Sequence, residues 1–389
     1  MKSIPHKRPG KAAIRRPAGR VRSRGALRSR RKVRFGHVRS GARARSRGSL
    51  HPSFARPKVG RTGVLAGAYQ AGVRAGQALH GAGDREGEKR LNRSWAQWIL
   101  PRLGRSVSWG MYAAASARFV RGVRRFRSWP RERLVLLPSG RRTAAIVSAD
   151  REAPALVGVL DQLGRLPLAE IVVVAGGASN GSFPHARNHP SRPIVVNGDQ
   201  SFGRDVGRAI GALVVSADIL LFLDGDTVVE AEKLVPFVYA IERGADVALN
   251  DMTPLLPVFD ARDPVWMVRE FLNRSLGRGD LGANSLSVIP HAISQKALKA
   301  IGAANLIVPP KAQAIAMHEK LRVVAPASVA KSRSGLAREA VDGPALQMAE
   351  LEVGDCLEAL HAMMGLRGER LHFRDALRKR RFAVGRPER

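Results

Sequence analysis

From residue 142 onward, short apolar runs alternate with stretches in which apolar residues recur every third or fourth position. The first pattern suits strands buried in a sheet, and the second suits helices that bury one face. The runs at 143–147, 170–174, 193–196, 219–223 and 246–249 predict five strands. Between them, 154–164, 202–215 and 228–243 predict helices, the second with Val206, Ile210, Leu213 and Val214 as its apolar stripe. Further helices are expected at 264–276, with Arg262, Arg269 and Arg274 on a solvated face, and at 293–301. The alternation predicts an α/β fold: a mainly parallel sheet with helices on both faces. Ligands of such sheets bind beyond the carboxyl ends of the strands.

Upstream the pattern changes. Leu91, Trp95, Trp98 and Ile99 recur at helical spacing, and Pro101 interrupts. Phe119, Val123 and Phe126 then line one face opposite Arg118, Arg121, Arg124 and Arg125. Such short helices either pack their apolar face on the α/β domain or lie on an anionic membrane surface. Residues 1–60 are Arg, Ser, Gly, Ala and Pro with scarcely any periodicity, the composition of a disordered basic tail. The chain is thus expected to divide into an Arg-rich tail (1–60), a basic amphipathic helical or linker region (61–141), the α/β domain (142–330) and a C-terminal helical extension (331–389).

Charge sharpens this division. There are 66 Lys and Arg against 32 Asp and Glu, a net charge of +34, yet no acidic residue precedes Asp84. The tail therefore suits polyanions, nucleic acid included, through counterion release, while the rest approaches ordinary globular composition. The single cysteine, Cys356, excludes an internal disulfide framework and any Cys-based zinc cluster, and reads as a buried helix residue in a reducing compartment. No apolar stretch approaches the ~20 residues of a spanning helix. The start has charge but no apolar core of a secretory signal. A cytoplasmic protein, peripheral on the inner face of a membrane, is the expectation.

The strongest chemical signal is ILLFLDGDT, where Asp224 and Asp226 flank Gly225 at the end of the most apolar predicted strand. Two carboxylates two residues apart on extended chain can aim at one point, and the glycine lets the backbone come close. Hard oxygen ligands of this kind suit Mg²⁺ or Mn²⁺ bridging the phosphates of a nucleoside diphosphate.

From residue 144 to 324 the chain resembles the family-2 glycosyltransferases of GT-A fold, most closely in DVGRAIGALVVSADILLFLDGDTVV. The resemblance implies a nucleotide-sugar donor, UDP- or GDP-linked, a divalent cation, and a glycan or lipid-linked acceptor. It puts Glu152 of AAIVSADRE on the family's acidic residue near the nucleotide and Arg208 on the arginine facing the donor. Asp224 and Asp226 fall on the metal pair, with Asp224 also toward the donor. Two positions depart from the family. Ala175 and Gly176 stand where an Asp commonly contacts base or ribose, and Ala312 and Gln313 stand where inverting members carry a Glu-Asp pair as catalytic base. Replacement bases are Asp251, His291 and Asp355, with His318 and Glu319 behind them. Two other readings follow: a catalytically silent binder of nucleotide sugar or glycan, and a polyanion-binding protein acting through its tail.

Overall fold

The computed structural model describes residues 61–79, 85–104, 107–126, 134–150, 155–177, 182–329 and 343–375, all within one compact unit, Lys58–Arg389. The expected tail at 1–60 and Glu152 lie outside the described residues. Seven strands form one sheet: β1 Thr143–Asp150, β2 Glu170–Gly176, β3 Ile194–Gly198, β4 Ile219–Asp224, β5 Val247–Asn250, β6 His291–Ser294 and β7 Val323–Ala327. Their order is β3-β2-β1-β4-β6-β5-β7. The β1–β2, β2–β3, β1–β4 and β5–β7 pairs are parallel, and β6 runs antiparallel to both β4 and β5. All six residues of β4 are buried, so both faces of the sheet's centre are covered. That is why its sequence reads as an unbroken apolar run rather than an alternation. The strand order reverses between β1 and β4, which opens the crevice where ligands of such sheets sit.

Among the described residues the α-helices are α1 Arg61–Ala78, α2 Arg85–Ile99, α3 Trp109–Arg124, α4 Leu156–Leu163, α5 Ser182–Arg187, α6 Arg204–Val214, α7 Ala231–Glu242, α8 Pro264–Ser275, α9 Gln295–Ile301, α10 Pro309–His318 and α11 Gly343–Arg367. The helix expected at 293–301 starts later than predicted. Ser294 ends β6, and its hydroxyl accepts the Ala297 N–H at 3.0 Å, which caps α9 and fixes its first turn.

The amphipathic faces of α2 and α3 turn inward. Leu91, Trp95, Ile99, Phe119 and Val123 join the same hydrophobic core as the sheet, and Phe126 alone of that set stays exposed. The Trp95 indole donates to the Tyr112 hydroxyl at 2.9 Å, which in turn donates to the Leu136 carbonyl. Asn92 accepts the Leu137 N–H at 2.7 Å and donates to the Ser139 carbonyl at 2.8 Å. These aromatic rings therefore pack on the α/β domain. No described helix is long and apolar enough to cross a membrane.

Glycines set how closely α1 and α3 cross. A Cβ on Gly72 would lie 2.0 Å from the Phe119 carbonyl oxygen, and one on Gly122 would lie 2.3 Å from the Tyr69 carbonyl oxygen. Backbone cannot retreat as a flexible side chain can. Gly122→Leu is expected to destabilise the protein by about 3 kcal/mol, the upper range for overpacking, read as a lowered urea midpoint with an unchanged slope.

At the other end of the chain, α11 folds back over α8 and α10. Arg269 pairs with Glu352, and Lys311 reaches Glu358 at 3.0 Å. Arg367 donates to His318 Nδ1 at 3.0 Å and to the Met317 carbonyl at 3.1 Å. Cys356 is fully buried in this helix, and burial pushes its thiol up to about 12. The solvated basic face expected on α8 is corrected: Arg269 is mostly buried against Glu352, Arg262 is mostly buried against Glu270, and Arg274 alone of the three is well exposed. Acidic partners 8 and 83 residues away in sequence account for the difference.

Candidate functional site

The site is built where α6 meets the end of β4. Gly207 and Gly211 lie one turn apart on α6, and Cβ atoms there would approach Ser148 Oγ to 2.5 Å and Ile146 Cγ2 to 2.4 Å. The helix thus lies directly on β1, on the face from which Ile146 and Ser148 project. Ser148 also donates to the Arg204 carbonyl at 2.9 Å. In the sheet register Ser148 stands opposite Asp224 and Ile146 opposite Phe222, so those β4 residues project to the same face. Close helix packing then delivers Arg208 to Asp224.

The resulting charge cluster is mostly buried. Arg208, 4 % exposed, donates from Nη2 to Asp224 Oδ1 at 3.0 Å and from Nη1 to Asp205. Asp224 is 2 % exposed, and its other oxygen lies 3.8 Å from Arg204 Nη1. Burial works to lower the Arg208 pKa, but the Asp224 and Asp205 carboxylates outweigh it and hold the guanidinium charged. Arg208 Nε is buried without a hydrogen-bond partner among the described residues. Such an orphan donor is costly unless something accepts from it.

Asp226 differs from Asp224 in being exposed, with one oxygen accepting from the Thr227 hydroxyl at 2.8 Å. The two carboxylates stand at the carboxyl end of β4 on either side of Gly225, whose N–H donates to the Ser148 carbonyl at 2.8 Å. No cluster of three or more His, Cys, Asp or Glu able to hold a metal occurs among the described residues. A cation here would rest on two carboxylates, with its other positions filled by water and phosphate oxygens. Mg²⁺ bound in nucleotide sites commonly has that ligand set, so the residues fit it.

The three base candidates have separate fates. His291 opens β6 opposite Phe222 and stacks on that ring at 4.8 Å between centroids. It is 2 % exposed, and burial first, then the nearby Arg208 charge, lowers its pKa to about 3. Burial thus keeps this imidazole neutral and enclosed beside Phe222. Asp251 accepts the Thr253 N–H at 3.0 Å and lines a cavity of about 520 Å³ with Arg278, Asp280 and Asn284 beside β7. β5 is two strands from β4, roughly 10 Å at ordinary strand spacing. Asp355, half-buried on α11, is pushed up to about 6 by burial and then by the neighbouring Asp205, Glu352 and Glu358 charges. Of the three, it combines partial exposure with electrostatic contact to the Asp205–Arg208 pair.

The position that resemblance would give to a base is structural in this chain. Gln313 is 1 % exposed and donates to Asn273 Oδ1 at 2.8 Å and the Asn284 carbonyl at 3.1 Å, while accepting the Leu286 N–H at 2.8 Å. Its amide is fully engaged, and Ala312 is buried beside it. His318 is held by Arg367, and Glu319 is exposed at the end of α10. Arg204 and Asp205, which complete the cluster, escaped the sequence reading. They precede Arg208 by four and three residues, the spacing at which helical side chains meet, so that signal was present.

Residues 145–274, a third of the chain, match the sequence model of the family described as Glycosyl transferase family 2. No curated protein sequence matches the chain. Among solved structures, glucosyl-3-phosphoglycerate synthase from Mycobacterium tuberculosis, in complex with Mn²⁺, UDP and glucosyl-3-phosphoglycerate, is similar at 15 % identity and a TM-score of 0.43, covering 70 % of this chain and 88 % of that one. The same enzyme in complex with Mn²⁺, UDP-glucose and phosphoglyceric acid gives 16 % identity and 0.43 over 68 % and 86 %. Mannosyl-3-phosphoglycerate synthase from Rubrobacter xylanophilus gives 14 % and 0.42 over 62 % and 80 %. At these values the structural likeness carries no functional weight.

Proposed function

We propose that the protein, which carries a family-2 glycosyltransferase segment at residues 145–274, transfers a sugar from a nucleoside diphosphate donor to an acceptor hydroxyl beside the end of β4. The observation that carries this reading is Asp224, a buried carboxylate at the point where strand order reverses, tied to Arg208 and followed two residues later by the exposed Asp226. Asp224 and Asp226 would hold Mg²⁺ or Mn²⁺, which when bound offsets the charge developing on the leaving diphosphate. Arg208 neutralises Asp224, and its orphan Nε offers a donor to an anionic oxygen. Glu152 is assigned to the donor nucleotide on the resemblance.

In the transfer the acceptor oxygen bonds to the anomeric carbon as the bond from that carbon to the diphosphate oxygen breaks. The acceptor's proton must go to a base, and the proposal gives that role to Asp355. Its raised pKa lets the carboxylate accept a proton near neutrality better than an ordinary aspartate. The engaged amide of Gln313 favours one other reading, a silent site that binds the donor without transfer.

Calorimetric titration with UDP- and GDP-sugars, with and without Mn²⁺, tests the donor site. Metal-dependent binding is expected, and Asp226→Ala should weaken it by roughly 100-fold, about 3 kcal/mol, without unfolding because Asp226 is exposed. A wild-type protein that binds no nucleotide under any metal condition sinks the proposal. Donor hydrolysis or transfer, measured separately, distinguishes an active site from a silent one.

A further inference from the structure

A cavity of about 1090 Å³ lies between α3, residues 134 and 135, the first half of α7 and residues 327–329 at the end of β7. None of Arg208, Asp224, Asp226 or Asp355 lines it. Its apolar wall includes Ala113, Ala117, Val120, Leu134, Val235 and Pro236. Ala113 and Ala117 sit one turn apart on α3 and are exposed to this space, so their small side chains leave it open. The polar members are strongly biased in sign: Arg121, Arg124, Arg125, Arg165 and Lys233 against the single carboxylate Glu232. That carboxylate pairs with Arg165. Arg121, Arg124 and Arg125 are exposed at the end of α3.

We propose that this cavity binds a free, single-chain amphiphile with an anionic head group, its chain along Ala113 and Ala117 and its head at Arg121, Arg124 and Arg125. The size suits a small-molecule ligand, since ligand pockets commonly enclose roughly 300–1,000 Å³ with mainly apolar linings and a few placed polar groups. Charge selects the class of occupant. A second copy of this chain would bring its own net charge of +34 to a cationic rim. The adjoining segments 127–133 and 330–342 are themselves net basic by sequence. An anionic head is complementary to a rim whose basic side chains outnumber its one carboxylate, and guanidinium groups are well suited to phosphate or carboxylate oxygens. The inference does not rest on the glycosyl-transfer reading.

Titration of the full-length protein with dodecyl phosphate below its micellar concentration, followed by calorimetry, tests it. Saturable binding is expected at least tenfold tighter than for dodecyl maltoside and far tighter than for inorganic phosphate. Ala117→Trp, which fills the space, should cost at least tenfold. Arg121→Glu with Arg125→Glu, at exposed positions, should remove the preference for the anionic head while circular dichroism stays unchanged. No binding, equal binding of the neutral amphiphile, wild-type affinity in Ala117→Trp, equal binding of phosphate alone, or binding to anionic vesicles but not to the monomeric amphiphile would each overturn the proposal.

Discussion

Arg208→Met is expected to lower the melting temperature by about 10 °C at neutral pH, from a loss of about 3–5 kcal/mol. The side chain is 4 % exposed and serves two carboxylates, Asp224 and Asp205. Methionine keeps much of the volume but removes the cation, leaving two like charges close together, with the partly exposed Arg204 3.8 Å from Asp224. Breaking a buried pair from one side costs more than the pair contributes, because the remaining charge has lost both water and partner. The sign of the pH dependence follows. Burial already holds the Asp205 carboxyl above the ordinary aspartate range, against the opposing Arg208 charge. Without Arg208 it moves further up, so the variant keeps more of its stability at low pH and loses it as pH rises through the Asp205 titration. Mn²⁺ should raise the melting temperature of the variant more than that of the wild type, since a cation then relieves the same pair. A variant that melts like wild type across pH 4–8 would show that Arg208 is not the counterion of this cluster.

The interior of the sheet was legible because burial on both faces leaves a local mark. The apolar runs 143–147 and 219–223 fall within β1 and β4, and the Asp-Gly-Asp sequence stands where β4 ends. β6 and β7 left weaker marks. His291–Ser294 is only four residues long and puts a histidine at its start, while Val323–Ala327 contains Pro326, which a central strand would not tolerate. β7 is an edge strand, which is where proline is allowed. Side-chain roles were legible only where the partner is near in sequence. Arg269 reads as solvent-facing on its own helix, and it is covered because Glu352 returns to it from α11. Gln313 gives no local sign of its three hydrogen bonds to the 273–286 region. His291 read from the sequence as a replacement base, but pairing with β4 stacks its ring on Phe222 and out of solvent.

Asp355→Asn is expected to reduce sugar transfer by roughly 10²–10⁴-fold, the usual contribution of a positioned base, while leaving metal-dependent donor binding intact. The distinction matters because Asp355 approaches the cluster from α11, outside the segment that matches the family model. In the wild type, transfer at low substrate should rise with pH up to the Asp355 pKa of about 6 and level off above it, as the carboxylate sheds its proton. The variant should lack that limb. Stability should move the other way. Burial and the Asp205, Glu352 and Glu358 charges make the folded protein favour protonated Asp355, so the wild type loses stability as pH rises from the ordinary aspartate range through about 6. Asparagine cannot ionise, so the variant's melting temperature relative to wild type should increase over the same interval. A functional loss and a stability gain that share one pH window would tie both to the Asp355 carboxylate. Full transfer activity in Asp355→Asn would remove it as the base, and loss of donor binding in the same variant would assign it to the nucleotide site instead.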